Sequence, residues 1–266
     1  AAPVHAQKIR ASGELLEYET RLRTSCAAGG FASICMGDVM VDPKYQNFPD
    51  APDFTVFDSP QADGYRKIAA LMKEHGAVAL AQLGHVGAHR MFNCGWETVG
   101  PCDLIRDDGM IIRAMDEKDM LRACRAFADA AFWFRSMGFD GVMVHAGHGY
   151  LLSEFLSPRD NRRTDEYGGS RENRARFPVR VVQAIRDRCG PDFVIEVRVS
   201  ATEGLPGGIE PDDIVTFGRM LEGTADILHI SRGNNNFNMN WLTRQYSSFH
   251  DPHFINLDMA AYIKAR

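Results

Sequence analysis

The chain has 266 residues, of which 45% are hydrophobic and 24% charged, and its formal net charge is −5. This length suffices for one large hydrophobic core, and the composition is typical of a globular domain. The negative charge disfavours a nucleic-acid partner, since nucleic-acid-binding surfaces are basic. No run of about 18 apolar residues is present, and the first residues lack the charged start and apolar core of a signal peptide. We therefore expect a cytoplasmic protein with no membrane partner.

Short apolar runs alternate with amphipathic helices along the chain. The ends of the first three predicted helices are marked by residues that favour helix termini. These are a Gly-Gly pair after the first helix, a Ser-Pro pair before the second, and a glycine after the second and after the third. Helices are predicted over residues 13–27, 60–75, 116–137, 170–188, 211–222 and from 257 onward, and strands over residues 1–4, 31–36, 78–83, 141–145, 193–199 and 226–231.

This alternation predicts right-handed βαβ units and a parallel sheet. No GxGxxG motif occupies the first strand-to-helix turn, which disfavours a doubly wound dinucleotide-binding fold. Long loops follow the C-terminal ends of several strands, as they do in a β/α barrel. Within residues 193–199, Ile195 and Val197 share one face and Glu196 and Arg198 the other, which suits helices outside and a polar ligand inside.

We therefore predict an α/β fold of the (βα)8 TIM-barrel class, with residues 1–266 as one domain. The sequence contains about six βα units when residues 1–4 are counted as the end of the first strand. Two further units are expected beyond Arg266, because an arc of six strands would leave two long unpaired edges. The domain is thus expected to be incomplete at its C-terminus and at the start of strand one.

The six cysteines are scattered without a CxxC pair, so we expect neither a zinc site nor an iron–sulfur site within this sequence. Cys35 lies in an apolar run and Cys124 in a helical stripe, and both are predicted to be small core residues. Disulfides are not expected, because they are rare in the cytoplasm.

Two histidines and a tyrosine follow the fourth predicted strand. Alternation along that strand points His145 inward at the strand's C-terminal end, and Gly147 and Gly149 allow a turn that brings His148 and Tyr150 back towards it. Two imidazoles and a phenol can hold a carbonyl-type oxygen and deliver a proton next to it. Structural histidines that cap loops are the alternative. A zinc site is disfavoured, because the metalloprotease motif spaces its histidines four apart on a helix around a glutamate.

The sequence VMVHAGHGYLLSEFLSPRDNRRTDEYGGSRENRARF, residues 142–177, closely resembles the signature of the Old Yellow Enzyme family of FMN-dependent (βα)8-barrel oxidoreductases. Within that family it is most similar to the bacterial branch of 2,4-dienoyl-CoA reductases and 2-enoate reductases. Weaker matches extend the resemblance over nearly the whole chain, at residues 2–3, 82–85, 100–101 and 197–200. On this resemblance, residues 1–266 are an FMN-binding barrel domain.

The resemblance implies a role for each residue of the His-His-Tyr group. His145 and His148 would hydrogen-bond the oxygen of the electron-withdrawing group on an α,β-unsaturated substrate. Tyr150 would donate the proton to the substrate's α-carbon while hydride passes from flavin N5 to the β-carbon.

The resemblance also implies three flavin contacts. Gln82 would bond the pyrimidine edge, and Arg198 would stabilise the negative charge of reduced flavin near N1 and O2. Pro3 would begin the backbone that touches the N5 and O4 edge. From the sequence alone, Gln82 can equally be an ordinary buried amide. Arg198 can be one half of an internal ion pair with Glu196 or another carboxylate.

This sequence departs from the family pattern at three places. His5 replaces the small residue that usually tunes the flavin from two positions after the proline, and Val86-Gly87-Ala88 lacks the usual Gly-Arg. The family's phosphate-binding loops follow strands seven and eight, so this piece is expected to hold flavin weakly or not at all.

The implied function is FMN-dependent reduction of a C=C bond, with NAD(P)H as the reductant and a small unsaturated molecule as the substrate. One alternative is an amine dehydrogenase of the trimethylamine dehydrogenase type, whose 4Fe-4S cluster and FAD would be held beyond Arg266. A barrel fragment without catalysis is another. Homo-oligomerisation is left open.

Three segments around the site are given less specific roles. Residues 90–115 and 232–251 are expected to form much of the substrate wall. Residues 159–163 are expected to be structural, with their arginines bonding Asp165, Glu166 and nearby carbonyls. The remaining expectation is a solvated polar loop made by Asn234, Asn235, Asn236 and Asn238.

Overall fold

The computed structural model describes residues 9–42, 52–89, 97–234 and 254–266. Eight strands are found in these residues: β1 (Ser33–Met40), β2 (Val78–Gly84), β3 (Thr98–Gly100), β4 (Leu104–Ile105), β5 (Ile111–Ala114), β6 (Gly141–Ala146), β7 (Val194–Ser200) and β8 (Ile227–Ser231). Five of them form a parallel sheet in the order β1-β2-β6-β7-β8. These five match the strands predicted after residue 30. The strand predicted over residues 1–4 lies outside the described residues.

The helices are α1 (Glu17–Ala28), α2 (Pro60–Lys73), α3 (Glu117–Ser136), α4 (Leu151–Leu156), α5 (Arg171–Cys189), α6 (Pro211–Met220) and α7 (Leu257–Lys264). The predicted caps form: Ser59 accepts from the backbone N–H of Ala62 before α2, and Ser170 accepts from that of Asn173 before α5. α4 was not predicted, because its six residues are too few to show a helical period. No helix in the described ranges has the length and apolar character needed to cross a lipid bilayer.

Neighbours in the sheet follow chain order, and every connection between them contains a helix. The outward faces of the strands join the helices in one large core, to which Ile195, Val197 and Val199 of β7 contribute fully buried side chains. The opposite faces meet in a smaller cluster made by Cys35, Leu80 and Met143, with Val78 and Val194 packed against it. Two apolar layers on the two faces of a parallel sheet are the arrangement of a β/α barrel, here seen as an arc of five strands.

α3 supports β2 and β6 from outside the sheet. Phe127, Trp133 and Phe134 on this helix are buried, and the indole N–H of Trp133 donates to the carbonyl of Val56 at 2.8 Å. Tyr65 of α2 packs edge-on against Trp133, with ring centroids 5.1 Å apart. Each such side chain contributes about 1.5–3 kcal/mol of burial free energy. The strands that carry the site are therefore backed by a rigid aromatic layer.

A second, smaller sheet lies between β2 and α3, in the order β3-β5-β4. β3 pairs in parallel with β5, and β4 pairs with it antiparallel. Residues 98–114, within the segment expected to form part of the substrate wall, thus contain three short strands that were not predicted. These strands have two to four residues each, which is too short for alternation to be read from sequence.

Candidate active site

The candidate site lies at the C-terminal ends of β2, β6, β7 and β8, on the inner face of the sheet. The strand register places His145 of β6 beside Arg198 of β7, and Arg198 beside His229 of β8. Gln82 of β2 pairs with Met143, one inward-facing position below His145. Because alternate residues of a strand share a face, these side chains point into the barrel interior. The predicted inward direction of His145 and Arg198 agrees with this register.

A left-handed turn follows β6. His148 has φ 60° and Gly149 has φ 81°, so the chain reverses where the two glycines of the motif allow it. The backbone N–H of His148 donates to the Ser200 hydroxyl at 2.9 Å, and Ser200 donates to the carbonyl of Gly233 at 2.8 Å. Nε2 of His148 lies 2.8 Å from the hydroxyl of Ser231. Two serines from neighbouring strands thus fix a backbone conformation that is uncommon for a histidine.

This turn brings the three predicted catalytic side chains together. Nδ1 of His148 lies 3.4 Å from Nε2 of His145, and the centroids of the two rings are 5.0 Å apart. The ring of Tyr150, immediately before α4, lies 4.8 Å from that of His145. Both imidazoles are buried and Tyr150 is partly exposed. A ligand would therefore reach the cluster from the side of the phenol.

Both imidazoles are electrically neutral. Burial lowers the pKa of His145 to about 3, and the Arg198 guanidinium acts in the same direction. Burial also holds the pKa of His148 well below its ordinary value, and its neighbours His145, Arg198 and His229 add to that effect. A neutral imidazole offers one N–H donor and one acceptor nitrogen. The pair can therefore hydrogen-bond a substrate oxygen while remaining uncharged.

Gln82 and Arg198 meet at the base of the site. Nη1 of Arg198 donates to Oε1 of Gln82 at 3.3 Å, and Gln82 is buried. Glu196, which the sequence offered as one ion-pair partner of Arg198, lies 2.6 Å from Nδ1 of His229 through its Oε1. An amide that both donates and accepts, next to a guanidinium, fits the pyrimidine edge of a flavin, whose N1 region becomes negative on reduction. The donor set is thus suited to FMN.

Several sequence expectations fall outside the described residues. They concern Pro3, His5, residues 90–96, residues 235–251 and the asparagines Asn235, Asn236 and Asn238.

His89 was not predicted from the sequence to be part of the site. It ends a short 3-10 turn, Gly87–His89, and its ring lies 5.1 Å from that of Tyr150 in an edge-on contact. The backbone N–H of Ala88 in the same turn donates to the buried carboxyl group of Glu154. The aromatic side chain of Tyr150 therefore contacts two imidazoles, His145 and His89. The contact between His89 and Tyr150 could not be predicted from local sequence patterns, because the two residues are 61 positions apart in the chain.

Asn234 corrects the expectation of a solvated polar loop. Its side chain is buried, and its Nδ2 donates to Oε1 of Glu203 at 2.7 Å. Glu203 is fully buried as well, and its other oxygen accepts from the hydroxyl of Ser157 at 2.8 Å and from the N–H of Ile209 at 3.0 Å. An isolated parallel β-bridge between His148 and Asn234 connects this network to the turn after β6. A buried carboxylate with three donors is a fixed anchor for that turn.

The arginine-rich run near the barrel mouth is structural at Arg163, as predicted. Its guanidinium bonds the carboxylate of Asp165 at 2.5–3.1 Å and the carbonyls of Pro101 and Met115 at 2.9 Å. Arg163 therefore connects the loop after α4 to the small sheet.

The pKa of Glu154 allows the exclusion of water from this region to be tested. Burial raises the pKa of Glu154 well above the ordinary 4.5, and the carboxyl groups of Asp160 and Glu203 act in the same direction, against the Ala88 N–H and Arg106. The folded protein therefore keeps a proton that the unfolded chain releases near pH 4.5. The free energy of unfolding should then fall as the pH rises above that value.

In the Glu154→Gln variant this loss is absent, so the variant should gain stability relative to wild type as the pH rises above about 5. Urea unfolding at several pH values measures the difference. Glu222→Gln, the same change at an exposed glutamate after α6, is the control. Parallel stability curves for wild type and Glu154→Gln would contradict the prediction.

The family model described as "NADH:flavin oxidoreductase / NADH oxidase family" matches residues 4–261. An NADPH dehydrogenase from a Geobacillus species is 38% identical over 184 residues, which cover 68% of this chain and 53% of the relative. The chain spans about half the length of the curated relatives it matches.

Two solved structures share the architecture. A 2-naphthoyl-CoA reductase in complex with 2-naphthoyl-CoA superposes with a TM-score of 0.78 at 23% identity, over 99% of this chain and 42% of that one. Histamine dehydrogenase from a Rhizobium species superposes with a TM-score of 0.75 at 28% identity, over 87% of this chain and 34% of that one. The first similarity establishes the fold alone.

Proposed function

Because this chain belongs to the NADH:flavin oxidoreductase / NADH oxidase family, the Old Yellow Enzyme family, we propose that it carries the active site of an FMN-dependent ene-reductase. The substrate class is an α,β-unsaturated carbonyl compound, acid or thioester, and NAD(P)H restores the reduced flavin. The observation that carries this proposal is the convergence of His145, His148 and Tyr150 above Gln82 and Arg198.

His145 and His148 bind the oxygen of the electron-withdrawing group. Their facing nitrogens are 3.4 Å apart, so one oxygen atom can lie within hydrogen-bond distance of both. As hydride adds to the β-carbon, negative charge develops on that oxygen, and donors held in a buried pocket stabilise it without reorganising. Ser200 of β7 and Ser231 of β8 hold His148 in place, through its backbone N–H and its Nε2.

Tyr150 donates the proton. FMN, when bound, supplies the hydride from N5 to the β-carbon, so the phenol proton added to the α-carbon completes the addition of two hydrogens across the double bond. The phenol is the partly exposed member of the cluster, which allows it to regain a proton from solvent after turnover. Its contacts with His145 and His89 fix its position.

Gln82 and Arg198 would hold the pyrimidine edge of the flavin. Arg198 would offset the negative charge of the reduced ring, and Gln82 would supply both a donor and an acceptor. Their mutual contact at 3.3 Å sets their spacing. Among the cofactors, FMN and NAD(P)H are those the family uses.

An amine dehydrogenase is the second candidate, because histamine dehydrogenase shares the fold at 28% identity. Two neutral imidazoles next to the Arg198 guanidinium suit an oxygen that gains negative charge better than a protonated amine. That branch would also need the 4Fe-4S cluster and FAD that the sequence resemblance assigns to positions beyond Arg266.

Anaerobic half-reactions test the proposal. The protein is reconstituted with FMN, reduced with NADH or NADPH, and mixed in parallel with 2-cyclohexenone, an enoate and trimethylamine. We expect the enone or the enoate to reoxidise the flavin. Oxidised flavin that is bleached by the amine, with no reoxidation by either unsaturated compound, would favour the second candidate. Protein that retains no flavin after desalting would support the fragment without catalysis.

A further inference from the structure

The hydroxyl of Ser231 is in a position to decide which nitrogen of His148 carries the proton. It lies 2.8 Å from Nε2, at the end of β8, and is buried. The other nitrogen, Nδ1, faces Nε2 of His145 at 3.4 Å. No carboxylate or carbonyl in the described part of the chain contacts either nitrogen of His148, so His145 at Nδ1 and Ser231 at Nε2 are the groups that can set its tautomer.

The ring of His145 restricts the tautomer of His148. The backbone N–H of Gly147 donates to Nδ1 of His145, so neutral His145 carries its proton on Nε2, directed at His148. In the absence of a ligand, Nδ1 of His148 must accept that proton's hydrogen bond. His148 then carries its own proton on Nε2 and donates it to Ser231.

A substrate oxygen between the rings demands the opposite arrangement. Both facing nitrogens must then donate, which requires the proton of His148 on Nδ1. Nε2 becomes an acceptor and needs a donor within the buried pocket. A hydroxyl can serve in both states, because its O–H rotates and its oxygen also accepts.

We propose that Ser231 is a positioning residue that allows His148 to change tautomer when a carbonyl or carboxyl oxygen binds. Ser231 accepts from Nε2–H in the free protein and donates to Nε2 in the complex. One proton leaves Nε2 and one is gained at Nδ1 through solvent, with no net change in charge. The neutrality of His148 noted above is compatible with this exchange, and the charged or titratable groups around it are His145, Arg198 and His229. The inference rests on the proposed function for the identity of the ligand.

The test uses ¹⁵N-histidine-labelled, FMN-reconstituted protein with oxidised flavin, so that 2-cyclohexenone binds without turnover. His148 is identified among the nine histidines by comparison with His148→Gln. We expect its proton on Nε2 in the free protein and on Nδ1 after the enone is added. Ser231→Ala should keep the His148 proton on Nε2 when free, because His145 still donates to Nδ1, and should give a mixed tautomer with the enone bound, because Nε2 then lacks a donor. Its Kd for the enone should rise roughly five- to tenfold, the effect of one lost hydrogen bond. Ser231→Thr should keep the wild-type tautomers and Kd.

Ser153→Ala is the matched control. It removes a buried hydroxyl that has no hydrogen-bond partner among the described residues, and it should change neither the tautomer nor the Kd. A proton on Nδ1 in the free wild type, or wild-type tautomers and Kd in Ser231→Ala, would overturn the inference. If wild type binds no enone, the proposed function fails, while a proton on Nδ1 in the free wild type would still overturn the role of the serine.

Discussion

Replacing Tyr150 with phenylalanine is expected to slow the reoxidation of reduced protein by an enone by about 10²–10⁴-fold, the contribution of one positioned proton donor. The phenylalanine ring keeps the contacts with His145 and His89, so the fold and the enone site should be preserved. Reduction of the flavin by NAD(P)H requires no proton from Tyr150 and should proceed at the wild-type rate.

Stopped-flow absorbance of the flavin measures the two half-reactions separately. Tyr18→Phe is the matched control, because Tyr18 is 59% exposed on α1 and far along the chain from the site. Equal rates of enone reoxidation in Tyr150→Phe and wild type would remove Tyr150 from its proposed role. A fall in both half-reactions would instead indicate that the phenol holds the flavin or the nicotinamide.

The sequence was sufficient for the fold because its local signals agree with one another. Glycines and a Ser-Pro pair predicted where α2 and α3 begin or end, and strand alternation predicted which face of β7 meets the helices. α1 was predicted from residue 13 but begins at Glu17, because Gly13 has φ 79° and closes a turn with Arg10. The backbone conformation at a glycine cannot be read from hydrophobic spacing.

The core of the site was predictable in part. Strand parity placed His145 inward, and two glycines indicated the turn that returns Tyr150. The residues that fix that turn were missed, since Ser200 and Ser231 come from other strands, 52 and 83 residues away from His148. Such partners are set by strand register, which a single sequence does not reveal.

The misreading of Asn234 has the same origin. Four asparagines in a short segment favour a solvated loop on composition alone. Asn234 is buried because Glu203, 31 residues earlier, offers an acceptor inside the protein. A buried polar residue is recognisable only once its partner is known.

Gly149→Ala is expected to have the largest effect on stability, because two independent constraints meet at this residue. Its φ of +81° lies in the left-handed region, which costs an L-residue about 1–2 kcal/mol. A Cβ atom there would also lie 2.3 Å from Oδ1 of Asn234. Asn234 cannot withdraw freely, because its Nδ2 is bonded to buried Glu203. Relief of this overlap costs a further 1–3 kcal/mol or so.

The two costs together predict a loss of about 2–5 kcal/mol in the free energy of unfolding, with the His148 turn displaced and enone reduction reduced along with it. Gly169→Ala separates the backbone cost from the cost of the steric overlap, because Gly169 has φ +79° and open space where a Cβ would be. This variant should lose only about 1–2 kcal/mol of the free energy of unfolding, the cost of its backbone conformation. Urea unfolding with equal m values gives both numbers. Equal losses of unfolding free energy in the two variants would mean that Asn234 makes no close contact with Gly149. The role assigned to Glu203, which is to hold Asn234 against the His148 turn, would then be contradicted.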